Sequence, residues 1–299
     1  MGTESDMLTD TDGAVSESST ILADGIPTRY QLTGSGPPLL MFSPGGFNAA
    51  LENWQTHGIY RRTDMLAQLS EHFTCITFDK RESGRSGGRI EQVTWRDYAR
   101  QGLDLIDGLG YDRVHLMGGC IGCSIAAVFA MAYPERVARM VLYSPAGGVQ
   151  YRMKQHARFT THLAYVETYG LDQVVQRAVE TDDGFSEDPR VGPWATVVRT
   201  DQDFAKRYAQ FDPERYATIV TGMSRTLFDR DTVPGPEPEH LLVMDTPALI
   251  VPGQDSSHAP SAAHYLRECL PEADYWDAPV VAQTAKTAPA RVADFLLSE

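Results

Sequence analysis

The sequence predicts an α/β protein with a mostly parallel, doubly wound sheet and an inserted helical cap. From Gly36 onward, short apolar runs alternate with amphipathic segments, which is typical of parallel strands joined by crossover helices. Between about residues 147 and 240 this rhythm stops, because the chain there is charged and has helical spacing without a convincing buried strand. The 299 residues, 42% of them hydrophobic, can bury one large core, so we expect one α/β domain with an insertion.

The predicted elements follow in order along the chain. We expect residues 1–20, which are polar and nearly free of aromatic side chains, to form a disordered tail. Residues 21–146 and 241–299 make up the expected core, and residues 147–240 make up the expected cap. Apolar runs predict five buried strands at 39–42, 75–78, 114–117, 140–143 and 248–251. Helical spacing predicts helices at 64–72, 95–109, 121–132, 262–269 and 290–297, with 171–180 and 203–210 in the cap.

Charge and composition exclude several classes of function. The 40 acidic residues exceed the 26 basic ones by 14, and this balance disfavours nucleic acid and anionic membrane surfaces as partners. No apolar run approaches the ~18 residues of a membrane span, and the first residues lack the features of a signal peptide. We therefore expect a cytoplasmic protein, a monomer or homodimer, that acts on a small molecule. Four cysteines are too few for a disulfide scaffold, so we expect reduced thiols.

The most informative segment is a nucleophile elbow at residues 118–122, Gly-Gly-Cys-Ile-Gly. An apolar strand precedes it and an apolar, alanine-rich helix follows, which is the context that the pattern Gly-x-nucleophile-x-Gly requires. Gly118 and Gly122 let the strand and the helix approach closely, and Cys120 occupies the strained position on the turn. At a helix amino terminus, unpaired N–H groups and the helix dipole favour a thiolate.

Cys120 and Cys123 also form a C-x-x-C pair, which leaves a redox role open. A zinc site is disfavoured, because a second C-x-x-C or a histidine pair at zinc spacing is absent from the sequence. A redox motif would also not need glycines at elbow spacing. We expect Cys123 to pack inside the helix as a small apolar residue. The sequence predicts no cofactor site either, since it lacks a phosphate loop and a dinucleotide fingerprint.

Three further segments support the interpretation of residues 118–122 as a nucleophile elbow. Ser43-Pro-Gly-Gly-Phe47 follows the first strong strand, residues 78–86 read Phe-Asp-Lys-Arg-Glu-Ser-Gly-Arg-Ser, and residues 133–137 read Tyr-Pro-Glu-Arg-Val. Together with the elbow they resemble the α/β-hydrolase superfamily over about residues 23–297. In that family, the first of these segments carries a His-Gly pair that contributes to the oxyanion hole, and Pro44 replaces the histidine here. The resemblance implies backbone N–H donors from Ile121 and Gly46, with Phe47 as the neighbouring candidate.

The acid and base of the expected catalytic group have unequal support. By the same resemblance, Asp255 lies where the family places its acid, after the strand at 248–251. The family's histidine belongs in the loop at 275–289, which contains none. We consider three accounts: His258 in the acid loop serves as base, a Cys120 thiolate needs no base for acylation, or the site binds without hydrolysis. Five other histidines carry less weight: His115 as a core residue, His156, His162 and His240 in or near the cap, and His264 in a helix.

The sequence therefore predicts a cofactor-independent hydrolase that forms an acyl-enzyme through Cys120 on an ester, lactone or thioester. Cysteine at the elbow resembles the dienelactone hydrolases, which makes a lactone the leading expectation. The first alternative is hydrolysis of a carbon–carbon bond in an activated diketone, a reaction of capped members of the superfamily. The second is a non-hydrolytic binding protein on a hydrolase scaffold.

Overall fold

The structure, a computed structural model, describes residues 7–9 and 15–298. Its strands are, in chain order, Met7–Thr9 (β1), Val15–Glu17 (β2), Ser19–Ala23 (β3), Ile26–Thr33 (β4), Pro38–Phe42 (β5), Thr74–Phe78 (β6), Val114–Gly119 (β7), Val137–Tyr143 (β8), Ala248–Val251 (β9) and Ala273–Tyr275 (β10).

The α-helices are Asn53–Thr56 (α1), Gly58–Arg62 (α2), Met65–Ser70 (α3), Trp95–Gly108 (α4), Gly122–Ala132 (α5), Val149–Tyr169 (α6), Leu171–Glu180 (α7), Ala195–Thr200 (α8), Gln202–Ala209 (α9), Pro213–Leu227 (α10), Pro238–Leu241 (α11), Pro260–Cys269 (α12) and Ala288–Leu297 (α13). Short 3₁₀ turns occupy Gly46–Asn48, Pro134–Arg136, Pro189–Val191 and Val280–Ala282. None of the helices in the described ranges has the length and apolar character needed to cross a lipid bilayer.

One eight-stranded sheet organises the chain, in the order β10-β9-β8-β7-β5-β6-β4-β3. The strands from β10 to β6 pair in parallel, whereas β4 and β3 add an antiparallel edge. Helices cover both faces of the sheet. Because side chains alternate between the faces along a strand, the central strands bury side chains on both sides. Leu40 and Phe42 of β5 pack in the cluster that contains α4 and α5, and Leu39 and Met41 pack in the one that contains α3 and α13. The expected fold class, a mostly parallel sheet covered by helices, is confirmed.

The five predicted strands correspond to β5 to β9, and the prediction missed β3, β4 and β10. The missed strands lie at the edges of the sheet, where many side chains are exposed or only half-buried and no continuous apolar run forms. The expected disordered tail at residues 1–20 stays a prediction. Residues 1–6 and 10–14 lie outside the described residues, while β1, β2 and the start of β3 at Ser19 fall within that range.

Helices α6 to α11 fill the chain between β8 and β9, and the described residues contain no strand there. The expected helix at 171–180 coincides with α7, and the one at 203–210 is α9, shifted by one residue. Aromatic side chains from this insertion pack on the core: the rings of Phe159 and Phe185 lie 5.6 and 5.2 Å from that of Phe47. The domain boundaries at 147 and 240 stay predictions.

The elbow between β7 and α5 depends on two glycines that have no room for a side chain. A Cβ on Gly118 would lie 2.4 Å from the carbonyl oxygen of Gly122, and one on Gly122 would lie 2.1 Å from that of Phe42. Both obstacles are backbone atoms, which cannot rotate away. Helix α5 therefore lies closer to the ends of β5 and β7 than it could if either glycine were replaced by another residue type.

We predict that Gly122→Ala destabilises the protein by about 3 kcal/mol, because the added methyl group forces α5 away from β5. Chemical denaturation of the variant and the parent measures this difference. Gly222→Ala in α10 is the matched control, since its new methyl group meets the end of the exposed, flexible Gln92 side chain. The control should cost nothing or stabilise the helix slightly. Equal effects of the two substitutions would contradict the steric argument.

Candidate active site

Cys120 occupies the sharpest point of the elbow. Its φ of 55° is in the left-handed region, which costs a non-glycine residue on the order of 1–3 kcal/mol. Two backbone hydrogen bonds hold it there, from its N–H to the Tyr143 carbonyl and from the Ala146 N–H to its own carbonyl, each 3.2 Å long. The half-buried side chain lines a cavity of about 820 Å³. The elbow therefore presents a thiol to an open site at the carboxyl ends of the strands.

Asp255 and His258 lie in the same cavity, on the loop between β9 and α12. The two carboxylate oxygens of Asp255 lie 2.9 and 2.8 Å from Nδ1 of His258. The backbone N–H groups of Ser257 and His258 also donate to Asp255, at 2.8 and 3.0 Å. The Gly147 N–H in turn donates to the Ser257 carbonyl at 3.0 Å, so the loop is tied to the start of the cap region. Because Nδ1 carries the proton shared with Asp255, Nε2 is the free end of the ring.

The pKa of His258 depends on Cys120. Burial by itself lowers the pKa of His258, but the charge and hydrogen bonding of Cys120, with those of Asp255, raise it to about 9. For Asp255, burial acts to raise the pKa, and the hydrogen bonds from His258 and Ser257 outweigh it and hold the pKa below its usual value. Nε2 is buried and makes no hydrogen bond of standard geometry to a described residue. His258 and Cys120 therefore line the same cavity, and the thiol is near enough to raise the pKa of the ring.

The residues expected to form an oxyanion hole border the same space. Gly46 and Cys120 line the large cavity, and Gly46 and Ile121 line a smaller chamber beside it. In the described part of the chain, the N–H groups of Gly46, Phe47 and Ile121 have no backbone or side-chain acceptor outside their own helical turns. Three N–H donors are therefore uncommitted around the thiol.

Buried polar groups hold the loop that carries Gly46. The side-chain amide of Asn53 donates to the carbonyls of Pro44 and Asn48, both at 2.7 Å. From the motif at 78–86, the Ser83 hydroxyl accepts a hydrogen bond from the Ala49 N–H and donates one to the Phe47 carbonyl, both at 3.1 Å. This motif is therefore a brace for the loop at 44–49.

Asp79 is the centre of that brace. Its buried carboxylate accepts hydrogen bonds from the backbone N–H groups of Leu51, at 2.8 Å, and Arg85, at 2.7 Å, and pairs with Arg29 at 3.3 Å. Burial raises the pKa of Asp79, and the hydrogen bonds and Arg29 oppose this effect. A Cβ on Gly84 would lie 2.3 Å from the carboxyl carbon. The glycine in this position is thus required by the carboxylate packed against it.

Cys123 does not share the cavity with Cys120. It is 1% exposed, and its thiol lies 3.1 Å from the Gly118 carbonyl and 3.5 Å from that of Tyr143. Burial raises its pKa well above the usual value, and both cysteines are free thiols. Its environment is that of a buried core thiol, which weighs against the redox alternative. Among the described residues, no group of three or more His, Cys, Asp or Glu side chains could hold a metal ion.

The remaining histidines discussed from the sequence do not line the cavity. His156 forms hydrogen bonds with the Ser224 hydroxyl and the Phe228 carbonyl, and His162 forms one with the Tyr216 hydroxyl. The ring of His115 contacts Phe73, and that of His264 stacks on Tyr275. His240 borders a separate groove. The loop at 275–289 contains no histidine. Its Gln283 has a buried amide that accepts a hydrogen bond from the Tyr143 hydroxyl at 2.9 Å and donates one to the Pro252 carbonyl at 2.9 Å.

Sequence reasoning missed several polar side chains near the site, including four considered next. His57 and Arg158 line the large cavity, Lys80 lines the smaller chamber, and Gln155 lines both. His57 follows α1 and Arg158 lies in α6, far along the chain from the elbow, so no local motif identifies them. Lys80 lies in the motif at 78–86, directly after Asp79. The residue type at that position is variable in the motif, so the sequence did not mark the lysine as a site residue.

Comparison with known proteins agrees with this architecture. The family described as "alpha/beta hydrolase fold" matches residues 38–273. The 2-hydroxy-6-oxo-6-(2'-aminophenyl)hexa-2,4-dienoic acid hydrolase of Metapseudomonas resinovorans is 24% identical over 81% of this chain and 76% of that protein. The 2-hydroxy-6-oxononadienedioate/2-hydroxy-6-oxononatrienedioate hydrolase of Paraburkholderia phymatum is 32% identical over 48% of this chain and 49% of that protein.

Among solved structures, the enol-lactonase from Burkholderia xenovorans LB400 is similar in fold, with a TM-score of 0.61 and 20% identity over 94% of this chain and all of that one. Several curated relatives are matched over only a third to a half of their length, 31% in one case and 49% in another. The family match, in contrast, covers most of this chain and includes the elbow, the brace and the acid loop. The chain belongs to the alpha/beta hydrolase fold family.

Proposed function

We propose that this protein is a cysteine-dependent hydrolase of an activated ester, lactone or thioester, and that Cys120 forms an acyl-enzyme. The observation that carries the proposal is the bonded Asp255–His258 pair next to the elbow thiol. Covalent acyl transfer needs a nucleophile, a base within reach of it and a third group that orients the base. The pair supports the account in which His258, from the acid loop, replaces the usual histidine.

Acylation starts from a thiolate and a protonated imidazole. The raised pKa of His258 keeps its ring protonated at neutral pH, and its largest raising influence is Cys120. The sulfur attacks the substrate carbonyl carbon, and the N–H groups of Gly46 and Ile121 stabilise the oxyanion that forms. The bond to the leaving group then breaks while Nε2 of His258 gives its proton to the departing atom. The products of this step are a thioester on Cys120, the released alcohol or thiol, and a neutral His258.

Deacylation returns the proton. A water molecule attacks the thioester carbonyl, and the now neutral Nε2 accepts the proton that the water loses. The C–S bond breaks, the acid product leaves, and Cys120 and His258 regain their charged forms. Asp255 holds Nδ1 throughout, so the ring keeps the orientation and the tautomer that leave Nε2 facing the thiol.

Hydrolysis of a carbon–carbon bond is the second candidate. It is favoured by the relatives that match this chain, which include the hexa-2,4-dienoic acid hydrolase above and a 2-hydroxymuconate semialdehyde hydrolase from a Pseudomonas strain. In that reaction the leaving group is a carbanion, which must be protonated as it departs. Rates with an aryl thioester and with a β-diketone would separate the two candidates.

We predict that brief exposure to p-nitrophenyl acetate adds one acetyl group to the protein, and that Cys120→Ala abolishes the addition. In His258→Ala the adduct should persist, because loss of a general base typically slows a proton-transfer step by about 100- to 10,000-fold. Intact-mass spectrometry at a series of times after mixing measures both effects.

Cys269→Ala is the matched control, since this cysteine lies in α12 and does not line the cavity. Its acetylation should equal that of the parent. If the parent takes up no acyl group although iodoacetamide labels Cys120, the hydrolase proposal fails for simple esters and a binding function becomes the better account. An adduct that clears from His258→Ala as fast as from the parent would remove His258 from the mechanism.

We predict that His258 titrates near pH 9 and that Cys120→Ser lowers its pKa, because the substitution removes the largest influence that raises it. Heteronuclear NMR of the imidazole C–H signals, with His258→Gln for assignment, follows the titration. Asp255→Asn should also lower the pKa. A midpoint near the ordinary histidine value of about 6.5 in the parent would contradict the paired arrangement.

The same pairing predicts how stability depends on pH. The pKa of His258 in the folded state, about 9, exceeds the value of about 6.5 expected in the unfolded chain. The folded state therefore binds this proton more tightly, and the resulting stabilisation is complete below about pH 6.5 and lost as the pH rises through about 9. Denaturation curves between these limits should show a loss in the parent that is smaller in His258→Gln. If stability falls equally with pH in the parent and in His258→Gln, the result contradicts this prediction.

A further inference from the structure

Lys80 is a buried cation without a directly paired anion. The residue is 5% exposed, and its ammonium group donates one hydrogen bond, to the Arg81 carbonyl at 3.2 Å. The nitrogen lies 4.3 Å from the centre of the Tyr98 ring and 5.6 Å from that of Phe47. Among the described residues, no carboxylate forms an ion pair with it. Burial of an unpaired ammonium group is costly, and costly charges beside a cleft are candidates for a role in its chemistry.

Lys80 lies beside the donors of the proposed oxyanion hole. It lines the smaller chamber together with Gly46, Phe47 and Ile121. The chamber has a volume of about 20 Å³, which is room for roughly one water-sized group. Residues that line so small a space are close neighbours. The charge of the lysine is therefore near the backbone N–H groups of Gly46 and Ile121.

This charge can act on a substrate that never enters the chamber. Cys120 lines the large cavity and not the chamber, whereas Gly46 lines both spaces. The oxygen of a carbonyl attacked by Cys120 would face the N–H groups of Gly46 and Ile121, with Lys80 on their far side. The chamber is lined mainly by apolar and aromatic side chains. In such surroundings two charges interact more strongly than they do across water.

We propose that the ammonium group of Lys80 stabilises the oxyanion that forms when Cys120 is acylated, through space and without contacting the substrate. The inference rests on the proposed function and adds a residue to its mechanism. The carbonyl of a bound substrate is neutral and gains little from a nearby cation, whereas the tetrahedral intermediate carries a full negative charge. The interaction is therefore stronger in the transition state than in the bound substrate, which is the condition for an increase in rate.

The charged and titratable groups around Lys80 are Arg81 and Glu82 on its own loop, Tyr98 on α4 and Tyr151 on α6. Glu82 pairs with Arg81 at 2.8 Å. Burial lowers the pKa of Lys80 to about 8, against an opposing effect of Glu82. Burial also raises the pKa values of both tyrosines far above this range, so they stay neutral. Lys80 can therefore lose its charge just above neutral pH while its neighbours keep their charge states.

The test compares two reactions of the same thiol. p-Nitrophenyl acetate is attacked at its carbonyl carbon, so negative charge develops on an oxygen in the oxyanion hole. Iodoacetamide is attacked at its methylene carbon, iodide leaves, and no oxyanion forms. The ratio of the two rate constants, acylation over alkylation, therefore reports on the oxyanion, because a change in the reactivity of the Cys120 thiolate affects both reactions. Peptide mass spectrometry of Cys120 after timed exposure measures each rate.

We expect Lys80→Met to lower this ratio by about 10-fold at pH 7, less than the roughly 100- to 1000-fold that loss of a direct oxyanion donor costs. Methionine is an unbranched, apolar side chain that can fill the place of the lysine without its charge. Lys206→Met, which removes an exposed lysine in α9, is the matched control and should keep the parent's ratio. An unchanged ratio in Lys80→Met would overturn the proposal.

The pH dependence of the parent separates the charge of Lys80 from a structural role and needs no variant. The ratio should fall as the pH rises through about 8, where Lys80 loses its charge, and the fall should be absent from Lys80→Met. A role in packing alone would lower the ratio in Lys80→Met equally at every pH and leave the parent's ratio constant. A constant parent ratio between pH 6.5 and 8.5, a range that ends below the pKa of His258 at about 9, would overturn the proposal.

The outcomes also separate this inference from the proposed function. If Cys120 of the parent is acylated but the ratio depends neither on Lys80 nor on pH, the hydrolase stands and the role of Lys80 is wrong. If Cys120 is alkylated by iodoacetamide but never acylated, the proposed function fails and the role of Lys80 fails with it.

Discussion

The close approach of α5 to the ends of β5 and β7 is the constraint on which the site depends. Two glycines permit it, and at each a side chain would collide with backbone atoms. The approach forces the residue between them, Cys120, into a left-handed conformation and leaves the N–H of Ile121 without an acceptor in its own helix. The same packing contact therefore presents the half-buried Cys120 side chain to the cavity and leaves one N–H donor uncommitted.

A second constraint acts at a distance from the thiol. Asp79 is a buried carboxylate that collects backbone N–H groups from two loops, and Ser83 links the same motif to the loop of Gly46. Hydrogen bonds to a buried charge are among the stronger ones in a folded protein. The loop that carries Gly46, a proposed oxyanion-hole donor, is therefore held by residues that do not line the cavity. The same segment carries Lys80, so one motif both braces the loop and introduces a charge beside the pocket.

The sequence predicted the parts of the molecule whose signal is local. The central strands are continuous apolar runs, and the elbow is a pattern of adjacent residues, so both could be identified without coordinates. The antiparallel edge strands and β10 were missed because their side chains are largely exposed and show no such run. His258 was a candidate because the last loop lacks a histidine, but only the folded chain brings its ring near Cys120. The chamber beside Lys80 could not be predicted, since its walls come from segments far apart in the chain.

Asp255 and His258, the proposed acid and base, are three residues apart on one loop. Their mutual geometry is set within a single turn, by the two backbone N–H groups that orient the carboxylate. In the segment after β10, the side-chain amide of Gln283 donates to the carbonyls of Pro252 and Ala278, both at 2.9 Å. The arrangement of the pair therefore depends on the conformation of one short loop and not on the packing of two distant segments.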